Sequence, residues 1–95
     1  MEMVIHYYEI PDYKDDFCIM MHKGAKILEI DKKKKNLIVL EDTTQPKEQR
    51  CFMKQFLNQK IENFEKRKYI GSILYNHFDG TDIAIFEILN VAKNY

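Results

Sequence analysis

The sequence predicts an all-β domain, a compact antiparallel barrel or sandwich of six to seven strands with room for one short helix after residue 57. Three observations carry that prediction. Short runs dense in β-branched and aromatic residues recur along the chain, and these types suit a pleated surface better than a helix. Polar segments, some holding Gly or Pro, separate the runs. Around Gly24, one of only three glycines, two such runs meet. There the pattern places Leu28 and Ile30 with Lys26 on one face, and Ile27 with Glu29 and Asp31 on the other.

The elements follow in order. Met3 to Ile10 is rich in β-branched and aromatic residues and reads as a strand, ended by Pro11 and the mostly polar group Asp12 to Asp16. Phe17 to Met21 is a short second strand. Gly24 accepts backbone angles that other residues resist, so the chain can bend there before the strand Lys26 to Asp31. Four consecutive lysines, Lys32 to Lys35, read as a solvated hairpin tip, with phosphate contact as the sharper alternative. Leu37-Ile38-Val39-Leu40 is a continuous apolar run too short for a helix; it predicts a buried strand, extended to Asp42. Tyr69 to Asn76 is strand-like, and Gly71 marks a bulge or a close approach. Asp79-Gly80 is the strongest short hairpin signal, and Ile83 to Leu89 is the returning strand. Met1 and the tail from Asn90 to Tyr95 are expected to be loosely held.

The segment from Gln49 to Lys68 is harder. Phe52, Met53, Phe56, Leu57, Ile61 and Phe64 fit one stripe of a helix, and no Gly or Pro interrupts them. Read as a strand, Arg50 to Leu57 sets Phe52 and Phe56 on one face, with Cys51, Met53 and Leu57 on the other. Pattern alone favours the helix.

The totals bound the rest. Ninety-five residues make one small domain, 1–95, with a modest core. At 45% apolar and 32% charged residues the chain is globular. Fifteen basic residues balance fifteen acidic ones, so no bulk charge draws the chain to nucleic acid or to an anionic membrane. The same balance removes one safeguard against self-association. No run reaches the length of a membrane span and no signal-peptide layout opens the chain. Cys18 and Cys51 lie too far apart for a local zinc motif, which points to reduced thiols in an intracellular protein.

Lys23-Gly24-Ala25-Lys26-Ile27-Leu28, Glu48-Gln49-Arg50-Cys51-Phe52, Lys68-Tyr69-Ile70-Gly71-Ser72 and the ending Phe86-Glu87-Ile88 together resemble an uncharacterised family of small bacteriophage-encoded proteins, a domain of unknown function. The resemblance implies an all-β fold in which Arg50-Cys51-Phe52 opens a strand, and so favours strand for Arg50 to Phe56. After Phe56 this chain departs from the pattern, since Leu57 to Arg67 lacks the family's Gly- and Pro-containing loop.

Catalytic constellations are scarce. His6, His22 and His77 have no helical metal spacing. Cys18 and Cys51 sit in apolar strands, where a thiol packs as a small hydrophobe. Ser72 is the lone serine and adjoins a structural glycine, and there is no nucleophile elbow or phosphate-cradling glycine loop. Asp15-Asp16 falls in a polar turn, without the burial that sets two acidities apart. The expectation is therefore no enzyme, no metal and no cofactor. The resemblance implies a phage accessory protein of the host cytoplasm that blocks a target, an inhibitor of host antiviral defence. Its partner would be a host protein or a small nucleotide signal. A pocket for the latter would draw on Lys23, Gly24, Arg50, Lys68 and Gly71. The alternative is a single-stranded nucleic-acid binder using the lysine tip with Tyr7, Tyr8, Tyr69, Tyr75, Phe52 and Phe56. Open strand edges in so short a chain predict a homo-oligomer, most simply a dimer.

Overall fold

The computed structural model describes residues 1–56, 58–74 and 82–89. Seven strands run in order β1 (Met3–Glu9), β2 (Asp16–His22), β3 (Lys26–Asp31), β4 (Asn36–Asp42), β5 (Lys47–Gln55), β6 (Arg67–Leu74) and β7 (Asp82–Ile88). Among the described residues the one helical element is a 3-10 turn at Phe64–Lys66. The strands form two antiparallel sheets, one ordered β1-β4-β3 and the other β2-β5-β7-β6. The two sheets pack face to face as an open sandwich rather than a closed barrel. Among the described residues no helix is long and apolar enough to cross a membrane. The Asp79-Gly80 hairpin, His77, Tyr75, Leu57 and the tail from Asn90 lie outside the described residues.

Side-chain alternation builds the core. In β4, Leu37, Val39 and Glu41 are buried, while Ile38 and Leu40 between them are only half-buried. The apolar run read as wholly buried is thus split between two faces. Facing it, Phe52 of β5 is fully buried and stacks on Phe17 of β2 with ring centroids 5.4 Å apart. Ile83 and Ile85 of β7 and Ile73 of β6 complete the inner layer.

The ladders decide what local pattern left open. Arg50 to Gln55 is a strand, as the resemblance implied and against the local helical stripe, because β5 is bonded on one side to β2 and on the other to β7. Two ladders outweigh a local preference worth a few tenths of a kcal/mol per residue. The runs flanking Gly24 do not pair with each other. Gly24, at φ 82°, turns the chain from β2 in one sheet to β3 in the other.

The cysteines are joined rather than reduced: Cys18 and Cys51 stand directly opposite in β2 and β5 and form a disulfide. Cys18 is exposed, on the outer side of its sheet. The pair closes a loop with a sequence separation of 33, which no local motif announces. It removes the argument for a reducing compartment that unpaired thiols would have made.

The faces of β3 also differ from simple alternation. A bulge lies between Ile27 and Glu29, so Lys26, Glu29 and Asp31 align with Leu40, Ile38 and Asn36 on the outer face. Ile27 and Ile30 both turn inward against the core. Gly71 is the other half of this contact. A Cβ built on it would lie 3.1 Å from Ile30 Cδ1, so the glycine lets β6 and β3 approach across the sandwich. Gly71 also marks a bulge in the β6 ladder, between Tyr69 and Gly71.

Candidate functional site

Where the chain crosses between sheets at Gly24 it leaves a cleft. Gly24 and Ala25 of the turn and Lys26 and Ile27 of β3 form one wall. Arg50 of β5, Glu87 of β7, and Lys68, Tyr69 and Ile70 of β6 form the other. Its volume is about 450 Å³, within the range of small-molecule sites.

Pairing of β5 with β7 sets the cleft's electrostatics. Phe52 faces Glu87 in the register, which puts Arg50 diagonal to Glu87 on the same face. Arg50 Nε donates to Glu87 Oε2 at 2.7 Å and Nη2 donates to Glu87 Oε1 at 2.8 Å. Arg50 Nη1 donates to the Ala25 carbonyl, tying the floor to the crossover turn. The bond to Glu87 is the main reason the guanidinium's pKa is held above its usual value, against the opposing effect of burial. Arg50 has five N–H donors, of which these bonds use three, so a fixed cation with spare donors borders the cleft. Lys68, opposite Glu87 in the ladder, is exposed beside it, while Tyr69 is exposed but its register with Phe86 directs its ring to the other face of the sheet. The Tyr69 ring packs edge-to-face on Phe86 at 5.5 Å. Lys26 bounds the cleft, although its register with Leu40 directs the side chain to the outer face of β3.

Of the residues expected to bind a ligand, Gly24, Arg50 and Lys68 therefore come together here, from a turn and two strands. Lys23 and Gly71 do not line the cleft. Lys23 is exposed and its amide donates to the Pro46 carbonyl at 2.7 Å, while Gly71 packs on Ile30. Glu87 and Tyr69 were not expected at a pocket. Glu87 sits in an apolar run, and an acidic residue at a buried position is the signal that could have marked it.

A second polar cluster lies elsewhere. Glu41 is fully buried in β4. Its Oε2 accepts from Tyr8 at 2.6 Å and pairs with His6 Nδ1 at 2.6 Å, and its Oε1 accepts from the His22 backbone amide at 2.6 Å. Burial pushes the Glu41 pKa up, but the bonds from Tyr8, His22 and His6 together bring it below the ordinary value. Burial, and then the bond to the Glu41 carboxylate, push the Tyr8 hydroxyl up to about 12. His22 presents its ring Nδ1 to the Gln45 carbonyl at 2.7 Å. Two histidines thus reach one carboxylate, one through its ring and one through its backbone. The cluster fastens β1, β2 and β4 together. Among the described residues no group of three or more His, Cys, Asp or Glu side chains is disposed to hold a metal ion.

The lysine tip is partly neutralised. Lys32 Nζ pairs with Asp82 at 2.7 Å and Lys35 Nζ with Asp12 at 3.1 Å. The aromatics proposed as a stacking platform are dispersed. Tyr7 lies on one sheet and Tyr69 on the other, and Phe52 is in the core.

The fold and cleft define a class: an open two-sheet antiparallel sandwich with a cation-bordered pocket at its crossover. No family model, no curated protein and no solved structure matches the chain.

Proposed function

We propose that the protein is a non-catalytic binding module that takes a small phosphate-bearing ligand of nucleotide type in the cleft at Gly24 and sequesters it. The observation that supports this most is the fixed Arg50 at the cleft, held by Glu87 and Ala25, with Lys68 beside it. A guanidinium with free donors suits a phosphate, and holding it in place in advance lowers the ordering cost of binding. A non-catalytic role is favoured because the lining holds no Ser, Thr, Cys or His, and its one carboxylate is engaged with Arg50. In the phage setting implied by the resemblance, withdrawal of a nucleotide signal would blunt host antiviral defence. Capping of a host protein is the other form of the same blocking role. Single-stranded nucleic-acid binding is less favoured, given the paired lysines at the tip and the separated tyrosines.

The test is calorimetry against a panel of mononucleotides and cyclic dinucleotides. Binding at micromolar or tighter affinity that falls at least tenfold in Lys68→Ala supports the reading, since Lys68 is exposed and its removal leaves the core intact. Absence of binding across the panel, or binding indifferent to that change, overturns it.

A further inference from the structure

The three-stranded sheet has an unusual outer face. In an open sandwich that face meets solvent and is expected to be polar. Here β1 sends Met3, Ile5 and Tyr7 outward, with 49%, 54% and 66% of their surface exposed. Ile38 and Leu40 of β4 lie beside them, half-buried, and Leu28 stands 44% exposed at the β3 bulge. Contiguous apolar surface of this kind marks an interaction site more often than chance.

The registers show what fits it. Leu40 lies between Ile5 and Lys26, and Ile38 between Tyr7 and Glu29. A two-fold axis in the plane of the contact, crossing the strands at Val39, exchanges these two rows. Ile5 then meets the partner's Tyr7, Leu40 meets the partner's Ile38, and Lys26 meets the partner's Glu29. Within these two rows apolar residues face apolar residues and a cation faces an anion, as an isologous contact requires, while Met3 at the end of β1 meets the partner's Glu9. We propose that this face seats a second copy of the chain, two sheets packed face to face with Lys26 and Glu29 paired reciprocally at the rim.

Size sets the strength. Three strands about 4.8 Å apart and about seven residues long cover on the order of 300 Å² of planar area per chain. Stable complexes bury about 800 Å² per partner. The dimer is therefore weak and reversible.

Sedimentation equilibrium across micromolar to millimolar concentration tests it. The expected result is a monomer–dimer equilibrium weakened at least tenfold by Ile5→Glu. Lys26→Glu and Glu29→Lys should each weaken it several-fold, and the double variant K26E/E29K should recover most of the loss. All of these positions are exposed, and far-UV circular dichroism confirms that each variant is folded. A monomer at every concentration overturns the proposal. So does a dimer that ignores Ile5→Glu, as pairing through the free edge of β1 would, or a double variant no better than the singles.

Discussion

Arg50 and Glu87 form a bidentate ion pair from neighbouring strands, with side chains only 18% and 9% exposed. The pair joins β5 to β7 and, through the Ala25 carbonyl, joins both to the turn that changes sheets. Its geometry is fixed by the ladder.

That burial makes each partner costly to remove alone. Glu87→Gln or Arg50→Ala leaves a charge without its counterion, and should lower stability by about 3 kcal/mol. Replacing both, as Arg50→Met with Glu87→Leu, should recover most of that loss, because desolvation of two charges is avoided. Denaturant unfolding of the two singles and the double measures the coupling.

Protonation of Glu41 should open the β1, β2 and β4 junction in acid. Its folded pKa lies below its ordinary value, so its contribution is present above pH 4.5 and is lost as pH falls through the lower folded value. Asp42, lowered to about 2 by its bonds from Thr44 and the Glu2 amide, adds in the same direction between about pH 4 and 2. Tyr8 acts at the other extreme. Its hydroxyl is raised from 10.0 to about 12, so its contribution is full below pH 10 and is lost as pH rises toward 12. Glu41→Gln should cost about 2 kcal/mol at neutral pH and flatten the acid limb. Thermal melts from pH 2 to 11 on both proteins check this.

Reduction should be felt globally. A closed loop with a separation of 33 restrains the unfolded chain by about 3 to 4 kcal/mol. Unfolding with and without a thiol reductant, alongside Cys18→Ala with Cys51→Ala, should show matching losses. A thiol assay on the denatured, unreduced protein should count no free cysteine.

The contact of Gly71 with Ile30 predicts a paired effect. Gly71→Ala sets a methyl 3.1 Å from Ile30 Cδ1 and should cost about 1 kcal/mol. Ile30→Val deletes that methyl, so the combination should be less damaging than the sum of the two singles. Gly24→Ala meets nothing within 4 Å, yet it strains a backbone at φ 82° and should cost a similar amount through the main chain alone.

The all-β architecture was legible because its signals are local. The lysine run at a hairpin tip, Gly24 at a turn and the positions of every strand but β5 follow from neighbours in sequence. Cys18 with Cys51, His6 and Tyr8 with Glu41, and Arg50 with Glu87 could not be read that way. Each pair is made by strand order, and strand order depends on which ladders form in the folded chain. Arg50 to Gln55 shows the conflict most directly, since its local pattern asks for a helix and its two neighbouring strands overrule it. At the cleft, charge and flexibility picked out Gly24, Arg50 and Lys68, whereas Lys23 and Gly71 looked the same in sequence and were placed elsewhere by the crossover and the bulge.

The surplus residue at Leu28 acts as a phase change within β3. Ahead of it the strand walls the cleft; behind it the strand delivers Ile30 to Gly71. Held to strict alternation at its present length, the strand would swing Ile30 toward solvent and Asp31 toward the interior, whereas removing Leu28 itself would leave the facing of both unchanged. The bulge, more than the identity of the residue in it, decides which side chains of the strand's second half reach the interior.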